Sequence, residues 1–420
     1  MTPSNGKSTL VQVLLGILAV ALVFVVGFGS GAAVVWFVGH GNLPALAGNA
    51  PAESSETTVW VQGNALLQEI RDILRKEYIE PEMVDDQKMI YGAAAGMVAA
   101  LGDPHTSFVE PTAAEILDQD MQGSFEGIGA TVNVEDGRFV IVRPMPGSPA
   151  EKAGLKAGDH ILAVDGVSLE GLTLTESIAR IRGPRGSVVR LLVQREGVPE
   201  PFEIEVTRDK ITIETVEYRM LEGNIAYVRL TEFNAVAAEQ LDAALKELIT
   251  EDTAGLVFDL RDNPGGYLQM AVAVASEFLP QDALILTERV RDEDDREFRV
   301  QGTGRAVDVP LVVLVNGGSA SASEIVAGAI QEHGRGILVG ETTYGKGSVQ
   351  QTHTLQDGSS LRVTVARWLL PNGKNLDGDG IVPDVEVVLT PEDYQAGNDP
   401  QLDTACELLR QQGNGYGQAQ

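Results

Sequence analysis

Leu311-Val312-Val313-Leu314-Val315-Asn316-Gly317-Gly318-Ser319-Ala320-Ser321-Ala322-Ser323-Glu324 reads as a short apolar strand running into a tight turn of small residues. An unbroken apolar run suits a strand buried on both faces, as in a parallel sheet. Ile325 to His333 continues as a helix that stops at Gly334. A serine at such a strand-to-helix turn, with no bulk around it, leaves its hydroxyl and the adjacent N–H groups open to a substrate carbonyl. The next strand, Gly336 to Gly340, leads into Glu341-Thr342-Thr343-Tyr344-Gly345-Lys346-Gly347-Ser348-Val349-Gln350 and sets Lys346 between two glycines, 25 residues after Ser321. A lysine acts as base to a serine only when neutral, and burial in apolar surroundings lowers an ammonium pKa. The pattern fits a Ser-Lys hydrolase. It also fits structure alone, because Ser321-Ala322-Ser323-Glu324 is an S-x-x-E capping box and a lysine in a glycine-rich loop is commonly solvated.

Upstream, Asn224 to Leu230 and Gly255 to Leu260 flank a helix from Ala235 to Ile249, which predicts a β-α-β crossover and parallel strands. Leu256-Val257-Phe258-Asp259-Leu260 runs into Arg261-Asp262-Asn263-Pro264-Gly265-Gly266, with a helix from Tyr267. A glycine corner between strand and helix exposes N–H groups suited to an oxyanion, and it equally satisfies a tight turn. Downstream, Leu361 to Trp368 alternates like a strand.

Gly123 to Thr207 has the element order of a PDZ domain. Gly127-Ile128-Gly129-Ala130 stands where such domains carry the loop that captures a terminal carboxylate. Strands are expected over Arg138 to Met145, Gly158 to Gly166, Val188 to Gln194 and Phe202 to Val206. Helices are expected within Gly147 to Leu155 and from Leu172 to Ile181. Such a domain adds a peptide as an extra strand and cradles its carboxylate in backbone N–H groups. Before it, Trp60 to Leu101 shows helical periodicity, with Leu66, Leu67, Ile70, Ile73 and Leu74 on one face and Met89, Ala93, Met97 and Leu101 on another. Gly102-Asp103-Pro104-His105 breaks the second helix. His105 invites a Ser-His-Asp reading, but a histidine beside a helix-ending proline is usually structural.

At 420 residues and a net charge of −29, the chain holds two or three domains and makes nucleic acid a poor partner. Cys406 is the single cysteine, so no internal disulfide forms, and no histidine follows it to make a Cys nucleophile. No H-E-x-x-H or paired-Cys ligand set occurs, and Asp377-Gly378-Asp379 lacks the spacing of a calcium loop. No cofactor is implied. Val13 to Val38 holds 26 residues without an ionisable group. At ~1.5 Å per residue that run spans a hydrocarbon core of about 30 Å. Lys7 is the only Lys or Arg before Arg71, which places the N-terminus in the cytoplasm and the remainder outside. A cleaved signal peptide, with Ala45-Leu46-Ala47 at the cut, is the competing reading.

Val315 to Ile330 (V-N-G-G-S-A-S-A-S-E-I-V-A-G-A-I) and Gly340 to Gln350 (G-E-T-T-Y-G-K-G-S-V-Q) resemble the C-terminal processing peptidases. These are family S41 proteases with a Ser-Lys dyad and an embedded PDZ domain. The resemblance also covers G-M-V-A-A-L-G-D-P-H-T-S-F and D-L-R-x-N-P-G-G, and extends from about Val59 to Val388. Pro371-Asn372-Gly373-Lys374-Asn375-Leu376 departs mildly from the family pattern at Lys374 and Leu376, and Asp262 stands where relatives carry Asn or Gly. The resemblance implies Ser321 as nucleophile, Lys346 as general base and Gln350 as the residue orienting the lysine. It assigns the oxyanion N–H groups to Ala322 and to Gly265 or Gly266. It makes Gly127, Ile128, Gly129 and Ala130 the peptide-carboxylate loop, and Arg182 a regulatory contact near the second PDZ helix. The fold it implies is mixed α/β and multidomain. The expected parts are a cytoplasmic N-terminus (1–12), a transmembrane anchor (13–38) in the bacterial cytoplasmic membrane, a linker (39–58) and a helical segment (59–118). A PDZ domain (119–207), a crotonase/ClpP-like protease core (208–392) and a C-terminal tail (393–420) follow. The partners expected are unfolded or C-terminally exposed proteins, with a homo-oligomer open. The alternative is a catalytically silent, membrane-tethered PDZ adaptor, which would tend to lose Ser321, Lys346 or Gln350.

Overall fold

The computed structural model describes residues 55–135 and 137–416. The expected anchor at 13–38 and its cytoplasmic flank lie outside the described residues. Among those described, no helix is long and apolar enough to cross a membrane. The chain divides into two compact units, 1–86 and 87–420.

Of the first unit, the described part is helix α1 (Ser55–Glu77) and a 3-10 turn at Pro81–Met83. The helix forms as its period requires, but Leu66, Leu67, Ile70, Ile73 and Leu74 all stand exposed. Helix α2 (Asp86–Ala99) buries Val98, while Met97 and Leu101 face outward. The face expected from Met89, Ala93, Met97 and Leu101 is therefore not the packed one. A 3.6-residue stripe reports what a helix can bury and not which neighbour it meets.

Next come β1 (Ser107–Val109), α3 (Pro111–Met121) and β2 (Ser124–Gly127). The PDZ body follows as β3 (Ala130–Glu135), β4 (Arg138–Pro144), α4 (Pro149–Lys152), β5 (His160–Val164), β6 (Val167–Ser168), α5 (Leu174–Ile181), β7 (Val188–Gln194) and β8 (Phe202–Thr207). Its sheet runs β3-β4-β5-β7-β8, every pair antiparallel, over a core of Ile141, Val189, Leu191 and Val193. Helix α5 starts at a full capping box, Thr173 accepting from Glu176 N–H while the Glu176 carboxylate returns to Thr173 N–H. β2 pairs with β9 (Asp209–Thr212) in a two-stranded ribbon that frames the domain.

The larger core is built on β10 (Val216–Leu221), β11 (Ile225–Leu230), α6 (Ala237–Leu248), β12 (Gly255–Asp259), α7 (Leu268–Ser276), β13 (Leu284–Val290), β14 (Arg296–Arg299), β15 (Leu311–Val315), α8 (Ala322–Glu332), β16 (Ile337–Gly340), β17 (Ser348–Thr354), β18 (Ser360–Leu369) and β19 (Val385–Glu386). Helices α9 (Pro391–Ala396) and α10 (Pro400–Tyr416) close the chain. The central sheet runs β10-β11-β12-β15-β16-β19, parallel throughout except for β10. Side chains alternate between its faces, as strand geometry requires. Leu256, Phe258, Leu311, Val313 and Val315 point to the layer of α6, α7 and α8. Val257, Val312 and Leu314 point to the other side, where Ala405, Cys406 and Leu409 of α10 cover them. Through Ala405, Cys406 and Leu409, helix α10 is thus an integral layer and not a loose tail. A second sheet, β1-β18-β13-β14 with β17 on the free side of β18, carries the lysine loop's exit strand.

Candidate active site

Three chain reversals at the carboxyl ends of parallel strands β12, β15 and β16 meet at one place, where open α/β sheets bind their ligands. The first is the turn after β12. Asn263, fully buried, donates from Nδ2 to Leu230 O at 2.7 Å and accepts at Oδ1 from Gly265 N–H at 2.9 Å. Its own carbonyl accepts from Ala320 N–H at 3.0 Å and from the Ser323 hydroxyl at 2.9 Å. One asparagine therefore fixes the glycine turn and ties it to the serine turn.

The run Ser319-Ala320-Ser321-Ala322-Ser323 gives its serines different tasks. Ser319 and Ser323 are fully buried and bond backbone carbonyls, Ser319 to Leu260 O at 2.8 Å. Ser321 lies between them at φ 54° and ψ −112°, as N-cap of α8. A non-glycine residue there costs about 1–3 kcal/mol and persists only where its surroundings hold it. Gly265 is part of that hold, because a Cβ on it would sit 2.8 Å from Ser321 Cβ and 2.7 Å from Ala320 O. No side chain fits between the two turns.

Glu324 joins the serine turn to the lysine loop. It is fully buried, and each carboxylate oxygen takes two donors. Oε1 accepts from the Thr343 hydroxyl at 2.6 Å and Gly345 N–H at 2.7 Å. Oε2 accepts from Ser321 N–H at 2.8 Å and Lys346 N–H at 3.0 Å. The amides of both candidate catalytic residues thus share one oxygen atom. The lysine loop is otherwise held by Trp368, whose indole donates to Lys346 O at 3.0 Å, and by Asn375, whose amide donates to Gly347 O at 2.9 Å. Both flanking glycines are required by contact: a Cβ on Gly345 would lie 2.8 Å from Gly380 N, and one on Gly347 2.6 Å from Asn375 Nδ2.

Burial pushes the Lys346 ammonium below its ordinary pKa, and Arg362 adds to the depression, while Glu324 and Asp103 oppose it. Asp103 itself is held down to about 2, first by the Thr106 hydroxyl, then by Thr364 and the His105 N–H. Thr106 Oγ1 also accepts from Thr364 N–H at 3.0 Å, docking the Gly102–Phe108 segment on β18 beside the lysine. His105 contributes its backbone to this contact. No hydrogen bond joins Ser321 to Lys346 Nζ among the described residues. Gln350 is not bonded to the lysine either, since its Nε2 donates to the Ser348 and Thr364 hydroxyls at 2.9 and 3.1 Å. Gly265 N–H is taken by Asn263, whereas no bond is made by Gly266 N–H or Ala322 N–H among the described residues. Phe233 pairs with Gly266 in an isolated parallel bridge, made by its bonds to Gly265 O and Tyr267 N–H.

In the PDZ body, Ile128 is buried and Gly129 has φ 74°, with Ser148 too close for a Cβ there. Ala150 N–H and Met145 N–H bond the carbonyls of Ile128 and Gly129 at 2.8 and 3.0 Å, so the loop's oxygens are anchored on α4 and its approach. β3, which opens at Ala130, is an edge strand. Arg182 caps the end of α5, donating to Gln119 Oε1 at 3.0 Å and Asp120 Oδ1 at 2.7 Å, and stacks on Phe125 with its carbon 4.1 Å from the ring centre. Asn263, Glu324, Asp103 and Arg362 were not singled out by the sequence reading as site residues. The signal for Glu324 was present in the S-x-x-E box, which turns out to cap the helix and brace the site together. Among the described residues no group of acidic, His or Cys side chains could hold a metal ion.

The model of "Peptidase family S41" matches residues 224–387, and a PDZ-domain model matches 140–195. The carboxy-terminal-processing protease of Bartonella bacilliformis is 39% identical over 332 residues, 78% of this chain and 76% of that protein. The carboxyl-terminal-processing protease of Synechocystis sp. is 37% identical over 347 residues, 80% of each chain. Among solved structures, the photosystem II D1 C-terminal processing protease shares 31% identity over 79% of this chain and 95% of that one, with a TM-score of 0.46. The chain belongs to peptidase family S41. It is a carboxy-terminal processing serine peptidase, a mixed α/β protein that joins a PDZ domain to the family's protease core. That sets the silent-adaptor alternative aside.

Proposed function

We propose that this peptidase is a membrane-anchored, extracytoplasmic endopeptidase that selects proteins through their C-termini and cuts them with a Ser321–Lys346 dyad. The observation that carries the reading is the shared Glu324 carboxylate, which braces a strained serine and a lysine with a depressed ammonium pKa in one rigid frame. Neutral Lys346 takes the proton of the Ser321 hydroxyl, whose oxygen attacks the peptide carbonyl. The oxyanion then lies against Ala322 N–H and, with Gly265 N–H already engaged, Gly266 N–H. Each such donor is worth about 10²–10³-fold in rate. Lys346 returns its proton to the leaving amine and then activates the water that hydrolyses the acyl-enzyme. Gln350 orients the lysine in this reading, for which its amide leaves the Ser348 and Thr364 hydroxyls. Gly127, Ile128, Gly129 and Ala130 receive the substrate's terminal carboxylate, with the peptide laid along β3. Arg182 is the regulatory contact, linking α5 to the end of α3 and through it to the protease core.

Ser321→Ala and Lys346→Ala should each reduce cleavage of an unfolded substrate by at least about 10³-fold while leaving folding and peptide binding intact. Near-wild-type turnover in either variant would remove the dyad. For the anchor, the chain should fractionate with membranes and be cut by protease added outside sealed cells. Recovery of a soluble protein beginning after Ala47 would favour the signal-peptide reading.

A further inference from the structure

A carboxylate beside the glycine turn has no part in this chemistry. Glu232 follows β11 and precedes Phe233, and Phe233 is bonded on both sides to that turn. Its N–H donates to Gly265 O at 2.9 Å, and its carbonyl accepts from Tyr267 N–H at 2.8 Å. Displacing Glu232 therefore drags the turn that carries Gly266 N–H. The same segment is fastened to the end of α3. Ala235 N–H donates to Met121 O at 2.9 Å, and Gly123 lies so near Val236 that a Cβ on it would be 2.6 Å from a methyl group. The end of α3 is also where the PDZ domain is clasped, by Arg182 on Asp120 at 2.7 Å, with the guanidinium mostly buried.

The charges facing Glu232 come from three directions. Burial raises its pKa, and Asp120 on α3 raises it further. From the start of α7, Tyr267 is raised by its own burial and by Asp118 and Glu232, with Arg362 on β18 opposing. On its own segment, Asn234 is fully buried and its Nδ2 lacks a hydrogen-bond partner among the described residues. That amide lies near enough to favour the ionised carboxylate without completing a bond to it. An unpaired buried amide beside a half-buried acid is an arrangement with a second state available to it.

We propose that Glu232 is a positioning residue for the oxyanion turn and that Arg182 acts on it through Asp120. With Arg182 docked, its charge offsets that of Asp120, which favours the ionised form of Glu232. With Arg182 withdrawn, two carboxylates confront each other in a poorly solvated place. Glu232 then takes up a proton or swings toward Asn234, and Phe233 carries the turn with it. This rests on the reading of Arg182 as the regulatory contact, and supplies the route by which that contact reaches the chemistry.

The test uses the full chain with Arg182→Ala, Glu232→Gln and both together. In a Ser321→Ala background, the Glu232 carboxyl is followed by 13C NMR titration, assigned by its loss in Glu232→Gln. Its midpoint should rise by about one pH unit when Arg182 is removed. In the active chain, Arg182→Ala should lower kcat at acid pH by about fivefold or more with KM little changed, and by less than about twofold when residue 232 is already Gln. A titration that does not move overturns the proposal and leaves the regulatory reading standing. The same kcat loss in both backgrounds also overturns it. A moved titration with no kcat effect at any pH means that Arg182 does not regulate, and the proposal falls with that reading.

Discussion

As the proposed general base, Lys346 must lose a proton before it can act, so the pH dependence of turnover belongs to its surroundings. Its ammonium is depressed first by burial and second by Arg362, with Glu324 and Asp103 pulling the other way. Activity should therefore rise with pH and reach its plateau below the pH at which a free lysine titrates. Arg362→Gln removes a repelling cation, so the ammonium becomes easier to keep and the rising limb moves to higher pH. We expect the rate at neutral pH to fall by about two- to tenfold, with the plateau little changed. A pH profile of kcat/KM for the two proteins checks it, and a shift toward lower pH would contradict the assignment of Lys346 as base. The turns that carry Ser321 and Lys346 were legible in the sequence because small residues must surround both. Arg362 was not, since nothing in Leu361–Trp368 says which side of the strand faces the lysine until the second sheet is paired.

The three turns of the site behave as one element because Glu324 receives a donor from Ser321 in the serine turn and from Thr343, Gly345 and Lys346 in the lysine loop, while Asn263 ties the glycine turn to the serine turn. Replacing it by Gln turns two acceptor positions into a donor that faces other donors. Hydrogen bonds to a charged partner contribute about 1.5–3 kcal/mol each, so Glu324→Gln should cost about 3 kcal/mol or more of stability and most of the activity. Denaturant unfolding alongside peptide cleavage measures both; an unchanged midpoint would mean that the brace is ornamental. Gly265→Ala probes the same junction from the other strand. With φ at 99° and Ser321 Cβ within 2.8 Å of the new methyl, it should depress kcat more than KM. The strands and helices around these turns were readable from sequence to within a few residues, since their apolar runs and glycine stops are strong signals. β10, β13, β14 and β17 were not picked out, because their value lies in pairing partners far away in the chain. Val216–Leu221, for instance, is mostly exposed and becomes a strand by pairing with β11.

Across the whole molecule, the least legible feature was the last helix. Residues 393–420 read as a C-terminal tail holding a short amphipathic helix around Cys406, and nothing in their sequence says what that helix covers, yet α10 seals one face of the central sheet. Ala405, Cys406 and Leu409 pack on Tyr227, Val257, Val312, Leu314 and Val339. Gly255 approaches so closely that a Cβ there would meet Leu409 at 2.8 Å. The helix is also clamped at its start by Arg261, which pairs with Asp259 at 2.6 Å and with Asp399 at 2.8 Å. Burial of a large apolar side chain is worth about 1.5–3 kcal/mol. Stripping several of them from β11, β12, β15 and β16 therefore removes as much as the roughly 5–15 kcal/mol that keeps a domain folded. Truncation after Asp399 should yield a chain that aggregates or loses its cooperative unfolding transition, even though it retains every residue of the proposed dyad, the glycine turn and the PDZ domain. Arg261→Met, which leaves two carboxylates facing each other with one of them buried, should weaken the same seam to a smaller degree. If the truncated chain instead melts like the full one and still cleaves, the sheet's outer face must be covered by something other than α10, and the layered core described above would have to be redrawn.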